Sequence, residues 1–246
     1  MSNEKPLKFQ RLLWKESIQA VKNSIRFSSF DSFRSFLNEN LPQSSHYTRK
    51  RYASSIVKWF FPGKRLDTLP CLLWRYYHDE SILKDIMRYE YLSKEPVISE
   101  FIVHYLLPLE PGTKVPSHHF KNFIMKKYGE SKKDPVQRLA FACRELGFIK
   151  QNRNVFTIQS TPEPKTACII LIHYFFAHTQ RTVPLKDIIE HPFWLLLGIR
   201  KQERVKLILR EADAKGIIAK YIVADQLEQI TTKYTLINFM ENRLML

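Results

Sequence analysis

The chain has 246 residues, 44% of them hydrophobic and 13% aromatic, enough to bury a core and too much for an intrinsically disordered polymer. Lys and Arg number 39 against 24 Asp and Glu, a formal net charge of +15, which favours a polyanionic partner because neutralising phosphates releases condensed counterions. The longest apolar runs, residues 168–178 and 193–199, fall short of a bilayer-spanning helix.

Cys71, Cys143 and Cys168 are odd in number and set in apolar surroundings, which fits reduced buried thiols rather than disulfides. The opening stretch "MSNEKPLKFQ" is charged and lacks a signal-peptide core. A soluble cytoplasmic protein without membrane association is the expectation. The charge is uneven: residues 1–65 carry 13 cations and 4 carboxylates, residues 66–110 carry 4 and 8, residues 111–160 carry 10 and 3, and residues 161–246 carry 12 and 9.

Glycine occurs only six times, and proline falls mostly between periodic segments, so a mainly helical protein with short connectors is predicted. Residues 1–95 read as an N-terminal helical domain. Apolar and basic positions alternate at helical spacing over 5–26, and "SFDSFRSFLNEN" places Phe30, Phe33, Phe36 and Leu37 on one helix face. The clearest helix lies in "SSHYTRKRYASSIVKWFFPG" (44–63). Ser44 or Ser45 caps it, Tyr52, Ile56, Trp59 and Phe60 form its apolar stripe, and Pro62-Gly63 ends it. Further helices are predicted over 68–78, 79–93, 97–107 and 117–129.

The run Thr48, Arg49, Lys50, Arg51 puts cations in the first turns of a helix, where they oppose its macrodipole. A phosphate docked there would accept bonds from backbone N–H groups, hydroxyls and these side chains. The bland alternative is an ordinary basic surface turn.

From about residue 97 the sequence repeats. "VHYLL" (103–107) is echoed by "IHYFF" (172–176), "VP" at 115–116 by "VP" at 183–184, and "GFI" at 147–149 by "GII" at 216–218. The ordered set predicts two copies of one unit, residues 96–160 and 161–246. Each reads helix, short helix, helix, glycine, strand, tip, strand, which resembles the winged helix-turn-helix. The predicted fold class is therefore mainly α: an N-terminal helical domain followed by two winged-helix-like modules with small β-hairpin wings.

In the first copy the third helix runs from about Asp134 to Leu146. Val136, Leu139, Ala140, Cys143 and Leu146 share its core face. Gln137, Arg138 and Phe141 lie opposite, flanked by Arg144, with Lys132 and Lys133 just before. In helix-turn-helix geometry Gln137, Arg138 and Arg144 would meet base edges in the major groove. Lys150, Asn152 and Arg153 at the wing would meet the sugar-phosphate backbone. A solvated basic face is the alternative.

The second copy mixes Lys201, Arg204, Lys206 and Arg210 with Glu203, Glu211 and Asp213, and its predicted tip contains Asp225 and Glu228. Lys201 and Arg204 are its candidate DNA contacts, and protein docking is an equal alternative.

Catalytic arrangements fail on spacing. His46-Tyr47-Thr48-Arg49 has the H-x-x-R form of tyrosine recombinases, with Tyr76 or Tyr77 as the nucleophile it would need, but only 45 residues precede it, too few for the catalytic domain that family needs. His78-Asp79 resembles the paired ligands of metal-dependent phosphohydrolases, and His46 could serve as the upstream histidine, but nothing in the sequence fixes the distant Asp. His118 and His119 diverge on a helix. The expectation is a protein with no catalytic residues, metal or cofactor, and with Trp14, Trp59, Trp74 and Trp194 in its core.

The N-terminal helices leading to "SSHYTRKRYASSIVKWF", followed by winged-helix-like repeats, resemble the BrxA family of BREX phage-exclusion systems. The resemblance implies a small, basic, non-enzymatic DNA-binding protein acting with other proteins in phage defence, with Thr48, Arg49 and Arg51 among its DNA contacts. The leading expectation is thus a double-stranded DNA-binding protein of a prokaryotic defence or regulatory assembly. The rival is an adaptor that meets acidic proteins or RNA through its basic surface.

Overall fold

The computed structural model describes residues 9–129, 133–153, 155–177, 179–224 and 227–246. The chain divides into two compact units, one of residues 1–66 and 90–162, the other of residues 67–89 and 163–246. These units cut across the boundaries suggested by sequence, since each joins part of the N-terminal segment to one repeat.

In the first unit α1 (Trp14–Ser24), α2 (Phe30–Asn40) and α3 (His46–Phe60) come first. Ser29 caps α2 by accepting the Ser32 N–H, and Ser45 caps α3 by accepting the Thr48 N–H at 3.4 Å. A 3₁₀ turn, Pro62–Lys64, ends α3, with Gly63 at φ 68°. Of the helical spacing read over 5–26, residues 5–8 lie outside the described residues, and in the rest the helix begins at Trp14. Residues 9–13 are not helical, yet Phe9, Leu12 and Leu13 are buried. The Phe9 carbonyl, which a helix would pair with an N–H four residues on, accepts from the Arg138 guanidinium instead, at 3.0 Å.

The chain crosses to the second unit through α4 (Leu69–Tyr77) and returns along α5 (Glu80–Lys94). Back in the first unit, α6 (Pro96–Phe101) runs into a π-helical turn, Ile102–Leu106. Then come β1 (Lys114–Pro116), α7 (His118–Tyr128), α8 (Lys133–Glu145), β2 (Ile149–Asn152) and β3 (Val155–Ile158). The sheet order is β1-β3-β2, all antiparallel.

The second unit follows this order with α9 (Lys165–Phe176), β4 (Thr182–Pro184), two short helices α10 (Leu185–Glu190) and α11 (Phe193–Leu196) in the place of α7, then α12 (Gln202–Ala214), β5 (Lys220–Ala224) and β6 (Leu227–Thr231). Its sheet order is β4-β6-β5, and α13 (Leu236–Glu241) closes it. Both repeats therefore have winged-helix-like topology. The mainly α fold with small β wings matches the expectation, with three differences.

Each sheet has a third strand, and β1 and β4 contain the repeated Val-Pro pairs. Three residues are too few to register as an alternating pattern. The hairpins are also tighter than read: Asn152 pairs with Val155, and Ala224 pairs with Leu227. Glu228 consequently belongs to a strand, while Asp225 lies outside the described residues. Finally, α13 replaces the end of a predicted strand, because Thr235 accepts the Asn238 N–H and Leu236, Phe239 and Met240 recur at helical spacing.

Aromatic packing fills the first unit. Trp59 meets Tyr91 at 5.2 Å, and Phe120 links Phe101 to Phe156 at 4.7 and 4.6 Å. Glu95, 5% exposed, accepts from Trp59 Nε1 and from the Lys58 ammonium, both at 2.8 Å. In the second unit α9 is buried from Thr166 to His173, as an apolar helix surrounded on all sides must be. All three cysteines are buried free thiols. Trp14, Trp59 and Trp194 are buried, whereas Trp74 is half-buried beside His78.

Candidate nucleic-acid interface

The segment 9–11, α3 and α8 enclose a cleft of about 560 Å³. Gln10 and Arg11 contribute from the segment, Arg51 and Tyr52 from α3, and Asp134, Gln137, Arg138 and Phe141 from α8. Folding thus places "TRKR" beside the helix that the sequence assigned to the major groove, although some 85 residues separate them. The arrangement is held by Ser55 of α3, which donates to Gln10 Oε1, and by Arg138 of α8, which donates to the neighbouring Phe9 carbonyl. Arg11 lies 4.3 Å above the Phe141 ring, with Arg144 5.0 Å from the same ring.

This packing engages the Arg138 guanidinium, which the sequence assigned to base edges. Its Nε and Nη2 engage Asp134, at 3.1 and 2.5 Å, and Nη1 is given to Phe9. A guanidinium so engaged would have to break both contacts to bridge a guanine edge. Gln137 remains exposed on α8. Lys133 is exposed at the start of that helix, and Lys132 lies outside the described residues.

Within "TRKR" the four residues differ. Arg49 is half-buried and ties the α2–α3 connection: Nε donates to the Asn38 carbonyl at 2.9 Å, and Nη1 to those of Gln43 and Ser44 at 2.7 and 2.9 Å. It therefore serves the fold rather than the surface, contrary to its expected grip on phosphate. Thr48 gives its backbone N–H to the cap and is half-buried. Lys50 and Arg51 are exposed, the latter 5.4 Å from the Tyr52 ring.

The far end of α8 connects to the wing. Arg144 Nη1 donates to Gln151 Oε1 at 3.2 Å, and Gln151 Nε2 donates to the Arg153 carbonyl at 3.1 Å. Arg153 adopts φ 53°, the left-handed conformation that a two-residue hairpin requires. Lys150, Asn152 and Arg153 are exposed. Lys114 and Lys150 both pair with Thr157, so two ammonium groups flank a threonine on the outer face of the sheet. Sequence reasoning missed Lys114, because its strand was not recognised.

The corresponding surface of the second unit is neutralised. Arg204 forms a bidentate pair with Glu163 at 2.7 and 3.0 Å. Lys206 pairs with Glu228 at 2.6 Å, and Glu211 takes both Lys165 and Lys215. Lys201 stands exposed at the N-cap of α12. Beside these pairs Leu207, Val223 and Leu227 are exposed. Counted over the whole sequence, the first unit holds 24 cations and 11 carboxylates, and the second 15 and 13.

The groups weighed for catalysis have structural places. Asp79 caps α5, accepting from Ser81 and Ile82; the Ser81 hydroxyl chiefly holds its carboxyl below the usual range. His78 adopts φ 52° at the end of α4. Tyr77 donates to the Leu244 carbonyl at 3.0 Å, and burial pushes its hydroxyl well above the ordinary tyrosine value. His118 and His119 lie ring against ring at 4.6 Å. Among the described residues no group of three or more His, Cys, Asp or Glu is placed to hold a metal ion, and no helix is long and apolar enough to cross a membrane.

Comparison with protein-family models, with curated proteins and with solved structures found no match for this chain.

Proposed function

We propose that the first unit binds double-stranded DNA without catalysing a reaction on it, through a surface running from Lys50 and Arg51 past Gln137 and Arg144 to Lys150, Arg153 and Lys114. One observation carries this reading. Two basic stretches remote in sequence are joined by the cleft and by the Arg144–Gln151–Arg153 hydrogen bonds into one surface, on the unit that holds nearly all the excess charge. Phosphate contacts dominate, because Asp134 and the Phe9 carbonyl engage Arg138 and Arg11 lies over Phe141, leaving Gln137 and Arg144 as the exposed base-reading candidates on α8. A place in a phage-defence or regulatory assembly is part of the proposal and rests on the resemblance at Ser45–Arg51.

The test is binding of the full chain to a duplex with hairpin-closed ends over a range of salt. Replacing Lys114, Lys150 and Arg153 together by alanine lowers affinity for every sequence and reduces the salt slope by about two to three units, roughly 0.9 for each phosphate no longer neutralised. An unchanged slope rejects the surface. Equal binding to duplex RNA, or binding only to proteins, favours the adaptor reading. For the second unit that reading has its own support, in the paired ions and exposed Leu207, Val223 and Leu227.

A further inference from the structure

We infer that the cleft between residues 9–11, α3 and α8 holds a single nucleotide carrying a terminal phosphomonoester, such as a phosphorylated strand end; this rests on the nucleic-acid reading of the same surface. Phe9 and Arg11 lie against α8 at the cleft, so beside the exposed surface that meets a duplex there is a recess able to take a strand end. Its volume of about 560 Å³ falls within the roughly 300–1,000 Å³ of small-ligand sites. Of its nine lining residues five are Arg or Gln, three are aromatic and one is Asp134, a set that matches a phosphate joined to a base.

Charge identifies the phosphate as a terminal one. Arg11, Arg51 and Arg138 face one carboxylate, Asp134, and that carboxylate is held by Arg138. Neither the Arg11 nor the Arg51 guanidinium forms a hydrogen bond or ion pair with a described residue, although Arg11 also borders an adjoining cleft with Glu16 and Glu145. A phosphomonoester carries about −1.5 to −2 at neutral pH, whereas an internal phosphodiester carries one negative charge. Arg11, set over Phe141 at 4.3 Å, keeps the N–H edge of its guanidinium for phosphate oxygens. Tyr52 supplies a ring for base stacking, and the Gln137 amide a donor and an acceptor for a base edge.

The test uses the full chain and fluorescence anisotropy with four probes: a duplex with hairpin-closed ends, and duplexes with a one-nucleotide overhang ending in 5′-phosphate, 3′-phosphate or hydroxyl. A phosphate-ended probe binds at least about tenfold tighter than the hydroxyl-ended one, the scale of an added charge-assisted hydrogen bond. Arg51→Ala and, separately, Gln137→Ala reduce that ratio, each with an unchanged melting temperature because both side chains are exposed. Competition by free deoxyadenosine monophosphate would point to a free nucleotide as the source; competition only by oligonucleotides points to a strand end. Equal affinity for phosphate and hydroxyl ends overturns the inference even if the closed duplex binds. Failure of the closed duplex alongside a retained phosphate preference instead overturns the duplex reading and leaves the cleft assignment standing.

Discussion

Arg49 and Arg51 sit two positions apart in one basic run, and the structure gives them opposite work. Arg49 satisfies three main-chain carbonyls of the α2–α3 connection, while Arg51 stays exposed at the cleft. Arg49→Ala should therefore cost about 1–3 kcal/mol in urea denaturation, since it strands partly buried acceptors, while Lys50→Ala should stay within about 0.5 kcal/mol. The residue types were legible in the sequence, but their partners were not, because a guanidinium near a carbonyl eleven residues away leaves no periodic trace. His173 makes the same point by pH. It is fully buried, bonded through Nδ1 to the Ile169 carbonyl, and burial chiefly lowers its pKa despite that bond. The unfolded chain then takes up a proton at higher pH than the folded one. Stability of the second unit should fall as pH drops below about 6.5, the ordinary histidine value. Melting temperatures at pH 7.5 and 5.5 would show this, with His173→Gln reducing the difference.

At the scale of elements, the two copies end the helix before the wing in the same way. Gly147 and Gly216 adopt φ 84° and 66°, and in each case the next N–H reaches back five residues, Phe148 to Cys143 at 3.0 Å and Ile217 to Ala212 at 2.8 Å. An added Cβ at Gly216 would meet nothing within 4 Å, so Gly216→Ala tests backbone conformation alone. It should cost about 1–2 kcal/mol, with Gly216→Asn recovering part of it in the same denaturation assay. Helices, caps and these glycines were readable because their chemistry is local. The strands β1 and β4 were not, since three residues gain strand character only by pairing with β3 and β6. Likewise, the apolar spacing of Phe9, Leu12 and Leu13 resembles helix, but packing holds this segment non-helical between α3 and α8.

For the whole molecule the decisive quantity is where the charge resides. The first unit has 13 more cations than carboxylates and the second has 2 more. If net charge alone governed DNA affinity, removing three cations from either unit would be equivalent. The proposed surface predicts otherwise: replacing Lys186, Lys220 and Lys233 of the second unit by alanine should leave the salt slope within about half a unit, whereas the Lys114, Lys150, Arg153 variant reduces it by about two to three. Parallel salt titrations of both variants against one closed duplex make the comparison.

Composition, helix periodicity, cap residues and the internal repeat were determined by the sequence itself, because each depends on neighbours within a few residues. That information carried the fold class and the overall basic character. Tertiary structure alone decided which cations stay unpaired, which are held by Asp134, Glu163 or main-chain carbonyls, and how Arg51 comes to share a cleft with Gln137. Those outcomes rest on contacts between residues distant along the chain, where geometry rather than residue type sets the interaction.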